Sequence, residues 1–137
     1  MSIRLKDVVD GYIQAALFST NDESDDSGGE PLDANYSESD LSPRALTQIK
    51  RACALFVKQN RKAIEKFKDV AKKDDADVGH DFWFTRAGHG VGFWDRGAGE
   101  VGEKLTAAAK RFGEMYMYLG DDDKIHVSGG AGGRRRS

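Results

Sequence analysis

The residues best suited to chemistry crowd into positions 79–97, Gly-His-Asp-Phe-Trp-Phe-Thr-Arg-Ala-Gly-His-Gly-Val-Gly-Phe-Trp-Asp-Arg-Gly. This stretch holds two of the three histidines, both tryptophans, two arginines and two aspartates. Its candidate binding residues are His80, Trp83, Arg86, His89, Trp94, Asp95 and Arg96. Three chemistries suit such a set. His80, Asp81, His89 and Asp95 have the types for a zinc or iron site with an open position. If the stretch is a hairpin, however, His89 sits at its tip and points away from the strand ends, so no metal is expected. His80 and His89 titrate in the range for acid–base work, and Arg86 can hold a phosphate bidentately. No nucleophile elbow, His-Glu-x-x-His or P-loop accompanies them, and the glycines at 88, 90 and 92 lead towards a strand instead of opening a helix. No catalytic residue is therefore assigned. The third chemistry is recognition, since Trp, Phe and Arg are the types that dominate binding hot spots.

The elements that must position these residues can be read from periodicity. Phe82, Phe84 and Arg86 alternate with Trp83 and Thr85, which predicts a strand, with a turn at 87–90 and a return strand at 91–94. Upstream, Val8, Val9, Tyr12, Ile13, Ala16 and Leu17 predict a helix over 5–18. Ser42 and Pro43 are an N-cap and first-turn pair opening a long helix to about residue 72. Its apolar stripe is Leu46, Ile49, Cys53, Phe56, Ala63, Phe67 and Val70, with Asn60 marking a bend inside it. Glycines at 97, 99 and 102 open a third helix with Val101, Leu105, Ala108, Ala109 and Phe112 on its apolar face. Residues 115–119 and 124–127 flank Gly120-Asp121-Asp122-Asp123 as a second hairpin. The expected fold class is α+β, in the order α-α-β-β-α-β-β, with an antiparallel sheet of about four strands packed against the long amphipathic helix. One domain spans 1–128, followed by a Gly/Arg tail at 129–137.

The core of that central stretch, His80-Asp81-Phe82-Trp83, Thr85-Arg86, Gly88-His89-Gly90 and Gly92-Phe93-Trp94-Asp95, resembles a family of small bacteriophage and prophage proteins. Those proteins also end in a hairpin like Tyr118-Leu119-Gly120-Asp121-Asp122-Asp123-Lys124-Ile125. The resemblance covers residues 79–127 and, more loosely, the first helix and the loop after it. It implies a phage accessory role and carries no catalytic residue or cofactor with it.

Charge is segregated along the chain. The 137 residues carry 21 Lys and Arg against 23 Asp and Glu, a net charge of −2. No Lys or Arg lies between Lys6 and Arg44, and eight carboxylates fall within residues 20–40 among serines and glycines. Residues 20–40 therefore read as an acidic flexible loop anchored by Leu32 and Tyr36. The long helix carries ten cations over 44–73 against Glu65 and Asp69. Its basic face, Lys50, Arg51, Lys58, Arg61, Lys62 and Lys68, is a candidate phosphate- or acid-binding surface. Mutual neutralisation of loop and helix is the competing expectation. The single cysteine, Cys53, excludes an intramolecular disulfide and reads as a buried thiol. No run approaches a membrane span, and the N-terminus lacks a secretory pattern, so no membrane is expected as a partner. These features together lead to a cytoplasmic, non-catalytic binding protein, in the host cytoplasm if phage-encoded. It would engage a host macromolecule such as a defence or nucleic-acid-processing complex, in the manner of an inhibitor. A small-ligand, nucleotide or hydrolytic site in the 80–95 stretch, and nucleic-acid binding by helix 44–73, are the alternatives. No cofactor is expected.

Overall fold

The computed structural model describes residues 3–21, 29–88 and 92–129. Among the described residues four α-helices, α1 (Leu5–Ser19), α2 (Pro43–Ala71), α3 (Asp75–Ala87) and α4 (Glu100–Lys110), pack with one two-stranded antiparallel sheet, β1 (Met115–Leu119) and β2 (Ile125–Gly129). The class is α+β, as expected, but the sheet has two strands where about four were predicted.

α2 follows from its sequence signals. The Ser42 hydroxyl accepts the Ala45 N–H at 3.0 Å, and Pro43 occupies the first turn, where its missing donor costs nothing. Asn60 leaves helical geometry (φ −128°, ψ 23°), and its Nδ2 donates to the Phe56 carbonyl at 2.9 Å, so the polar residue inside the stripe is where the helix kinks. Lys72, left-handed at φ 58°, ends it.

The expected hairpin over 82–94 is corrected by α3. Asp74 and Asp77 start this helix. The Asp77 N–H donates to Asp74 Oδ1 at 2.9 Å and the Asp74 N–H to Asp77 Oδ2 at 3.1 Å, a capping box that starts a new helix. Gly88, left-handed at φ 73°, closes it with its N–H on the Phe84 carbonyl. Between these caps Val78, Asp81, Phe82, Trp83, Thr85 and Arg86 are all buried. A helix enclosed on several sides shows no single apolar stripe, and Phe-Trp-Phe then mimics a two-residue period. Phe93–Asp95 form a short 3₁₀ turn instead of a return strand.

α3 sits at the centre of the fold. The Phe82 ring stacks on Phe56 at 4.1 Å and 9°, and meets Phe112 edge-on at 5.3 Å and Tyr12 at 5.4 Å. Phe93 bridges Phe56 and Phe67 from the far side, at 5.6 and 5.1 Å. Each such fully buried ring contributes about 1.5–3 kcal/mol. Cys53 lies in the same core, completely buried, and burial pushes its thiol up to about 12.

The hairpin attaches to the entry of α2. Leu41 bridges Ile125, and the Ser42 N–H donates to the Ile125 carbonyl at 2.8 Å. The turn closes through Gly120 N–H to Lys124 O and Asp123 N–H to Gly120 O, with Asp123 left-handed at φ 63°. Within the acidic stretch, Leu32 is fully buried and Tyr36 donates to Asp123 Oδ1 at 3.0 Å, so both expected anchors hold.

The α3 cap makes a prediction. Backbone N–H donation from Asp77 holds the Asp74 carboxyl below its ordinary range. A depressed carboxylate stabilises the fold above its unfolded pKa, and that contribution disappears as pH falls through the folded value. Asp74→Ala should therefore cost about 1 kcal/mol at pH 7, and the gap from wild type should close below about pH 4. Urea midpoints measured from pH 7 to pH 3 check this; a gap that stays constant would refute it.

Candidate functional site

The candidates in the central stretch fall into separate surroundings. Trp83 is buried against Tyr12, and its indole N–H donates to Ser19 Oγ at 2.8 Å. Arg86 is 3% exposed. Its Nε donates to the Gly113 carbonyl, its Nη2 to the Phe112 carbonyl, both at 3.0 Å, and its Nη1 to the Tyr12 hydroxyl at 3.2 Å. The guanidinium also lies 5.6 Å from the Phe82 ring centre and 5.8 Å from that of Phe112. Arg96 forks onto the buried Asp81, with Nη2 to Oδ1 at 2.6 Å and Nε to Oδ2 at 3.1 Å. His80 is half-exposed on α3, 3.4 Å from Gln14 Oε1 and 3.6 Å from Asp77 Oδ1. Trp94 is 51% exposed in the 3₁₀ turn, which also contains Asp95; His89 lies outside the described residues.

This distribution does not bring His80 and Arg86 together. On a helix His80 and Arg86 are six residues apart and face different neighbours: His80 faces α1, while Arg86 faces the end of α4. The arginine that was to hold a phosphate is spent inside the core. Asp81 and Arg96 satisfy each other. Among the described residues no group of three or more His, Cys, Asp and Glu is placed to hold a metal.

The basic face of α2 also divides. Lys68 is nearly buried, its Nζ 2.5 Å from Asp75 Oδ1, and ties the end of α2 to the start of α3. Lys50 turns towards α1 and lines an open groove of about 880 Å³ with Leu5, Val9, Ile13, Asp33 and Glu38. Arg61 is exposed just beyond the kink at Asn60. Arg51, Lys58 and Lys62 remain on an outward ridge, all exposed, flanked by exposed Arg44 and Lys66. Spacings of seven residues along Arg44, Arg51 and Lys58 keep these cations on nearly one line in steps of about 10 Å, and Lys62 follows just beyond the kink at Asn60. Leu55 sits among them, 42% exposed. Among the described residues, Glu30, Asp33, Glu38 and Asp40 form no ion pair with this ridge, so the expected neutralisation of helix by loop is not seen there. Asp22, Glu23, Asp25 and Asp26 lie outside the described residues.

One surface had gone unread in the sequence. Tyr116 and Tyr118 project from β1 to the outside, 57% and 47% exposed, while Met115 and Met117 are buried. The alternation Met-Tyr-Met-Tyr signals it, because a single buried face must leave both tyrosines on the other. His126 sits opposite Tyr118 and 2.9 Å from Asp122 Oδ1. That contact holds the Asp122 carboxyl below its usual range.

Among the described residues no helix is long and apolar enough to cross a membrane. Comparison with known proteins adds no family assignment, since no family model, curated protein or solved structure matches the chain.

Proposed function

We propose that the protein is a non-catalytic accessory binding protein, of phage or prophage type, that engages an acidic surface of a host protein through the outward ridge of α2. Its place of action would be the host cytoplasm. The observation that carries this reading is the set Arg51, Lys58 and Lys62, all exposed along α2 and without an ion pair among the described residues. A row of like charges without internal partners is self-repelling, and an acidic partner relieves that repulsion while steering encounter. Nucleic acid is the second reading for the same ridge. Leu55 favours protein, because an apolar side chain amid the cations suits the dry centre of a protein interface and finds nothing to bury against phosphates. The ridge also offers no aromatic for base stacking.

The triple variant Arg51→Glu/Lys58→Glu/Lys62→Glu should keep the wild-type melting profile, since all three side chains are exposed. In affinity capture from host cells it should lose a specific acidic protein by at least about tenfold, and Leu55→Ala should weaken the same capture. Salt titrations with duplex and single-stranded DNA run alongside. Binding of nucleic acid with a steep salt slope that the triple variant abolishes would replace the protein reading with the second one. Equal capture by wild type and variant would remove the ridge from both.

A further inference from the structure

We propose that the outward face of the β1–β2 hairpin is a second docking surface, for an extended basic segment of a partner protein that adds as a strand beside β1 with Arg or Lys at alternate positions. It is independent of the α2 ridge, lies on a different element and selects the opposite charge.

Three observations converge on this face. The first is composition. Tyr116 and Tyr118 stand on one side of β1, and alternate residues of a strand are about 6.8 Å apart. The Tyr118 ring lies 5.5 Å from His126 at 25°, extending the aromatic surface across to β2. Exposed aromatic faces attract guanidinium and ammonium groups.

The second is charge. The Tyr116 hydroxyl donates to Glu114 Oε2 at 3.4 Å, and His126 Nε2 lies 2.9 Å from Asp122 Oδ1. A carboxylate therefore closes each end of a continuous row running Glu114, Tyr116, Tyr118, His126, Asp122. Asp121 and Asp123 are exposed in the adjoining turn, with Lys124 the cation beside them. A cationic side chain laid over a tyrosine ring would have a carboxylate within reach; an anionic one would meet repulsion. This acidity also weighs against reading the tyrosines as a stacking platform for nucleic acid.

The third is the free edge. The sheet has two strands, and among the described residues β2 alone pairs with β1. Gly120 N–H bonds to Lys124 O, so by the alternation of antiparallel pairs Tyr118 and Tyr116 exchange bonds with β2. The N–H and C=O groups of Met115, Met117 and Leu119 consequently point to the open side. An edge of unpaired backbone groups is a template for an added strand. An incoming strand places alternate side chains on the tyrosine face, which is why the basic residues must alternate.

The test uses the full chain and three labelled peptides: arginine alternating with threonine, the same with glutamate for arginine, and an arginine peptide with proline at the alternate positions. Fluorescence polarisation should give saturable binding to the first only, and NMR should show shifts at Tyr116, Tyr118 and His126. Tyr116→Ser/Tyr118→Ser should weaken binding by at least about tenfold. Glu114→Lys/Asp121→Lys, made on exposed positions, should do the same and keeps the test decisive if the tyrosine variant unfolds. Several results would overturn the proposal: no saturable binding, equal binding by the variants, or a proline peptide as good as the first. Ring shifts produced by single-stranded DNA instead, or self-association through this face alone, would do so as well.

Discussion

Gly79→Ala is expected to destabilise the protein by at least about 3 kcal/mol, the upper end of core overpacking. The sign is informative, because alanine is the better helix former by about 1 kcal/mol and an unobstructed replacement would stabilise α3. At Gly79 a Cβ would lie 2.0 Å from the Val8 carbonyl oxygen and 2.6 Å from the Tyr12 nitrogen. At Gly11, across the same crossing, it would lie 2.1 Å from the Ala76 carbonyl oxygen. Both obstructions are backbone, so no side chain can swing aside; α1 and α3 would have to separate. Separation would pull Tyr12 away from Phe82 and Trp83, which it contacts at ring distances of 5.4 and 5.5 Å. Gly11→Ala should cost a similar amount. Gly88→Ala is the control: among the described residues no atom beyond its own chain neighbours and helix backbone lies within 4 Å of its Cβ position, so the left-handed φ of 73° is what is penalised, by about 1–2 kcal/mol. Thermal melts of the three variants decide it. Gly79→Ala melting at or above the Gly88→Ala temperature would show that the helices do not meet as described.

That crossing also shows where the sequence was readable and where it was not. Elements with one exposed side announced themselves: α2 through Ser42, Pro43 and its stripe, α4 through Val101, Leu105 and Ala108, the last hairpin through the segments flanking Gly120-Asp121-Asp122-Asp123. α3 did not, because burial on several sides erased its periodicity. Gly79 is a contact point that only glycine can fill. The readable signal was Asp74-x-x-Asp77, a reciprocal capping pair resembling the usual Ser/Thr-x-x-Glu pattern with aspartates at both ends. Once 75–87 is a helix, two of the four expected strands vanish and the sheet shrinks to the C-terminal hairpin.

The candidate site changed for the same reason. Alternation put Phe82, Phe84 and Arg86 on one face and left Trp83 on the other; helical geometry buries Phe82, Trp83 and Arg86 together. Residue types favoured at binding hot spots are also those favoured in cores, and only the third dimension separates the two uses. The ridge of α2 was legible because exposed cations on an amphipathic helix have few alternatives to solvent. Lys68 was the exception, since its partner Asp75 belongs to an element the sequence had concealed.

Arg86→Met is the second large effect, an expected loss of about 2–4 kcal/mol, and its size rests on a contest between two terms. A buried guanidinium is costly to desolvate, and replacing buried charge with an apolar side chain of similar volume is often neutral or better. Here the partners decide otherwise. Arg86 has no carboxylate among its described partners; it binds the Phe112 and Gly113 carbonyls and the Tyr12 hydroxyl. Those carbonyls lie just beyond the last turn of α4, where the helix dipole favours a cation and the exit carbonyls need donors. Methionine would fill the space but strand both oxygens, at about 1–3 kcal/mol each when water cannot replace the donor. The Tyr12 hydroxyl would keep Met115 Sδ, 2.9 Å away, as its own acceptor. Arg86→Lys separates charge from geometry. An ammonium cannot fork to two carbonyls and, with no carboxylate beside it, its pKa in the folded state falls below the unfolded value. The folded state then binds fewer protons at this site than the unfolded one, so the variant's stability relative to wild type, whose arginine stays charged, should rise with pH between about 7 and 10. Urea unfolding across that interval measures both variants. An Arg86→Met protein as stable as wild type would mean the guanidinium is not what closes the end of α4.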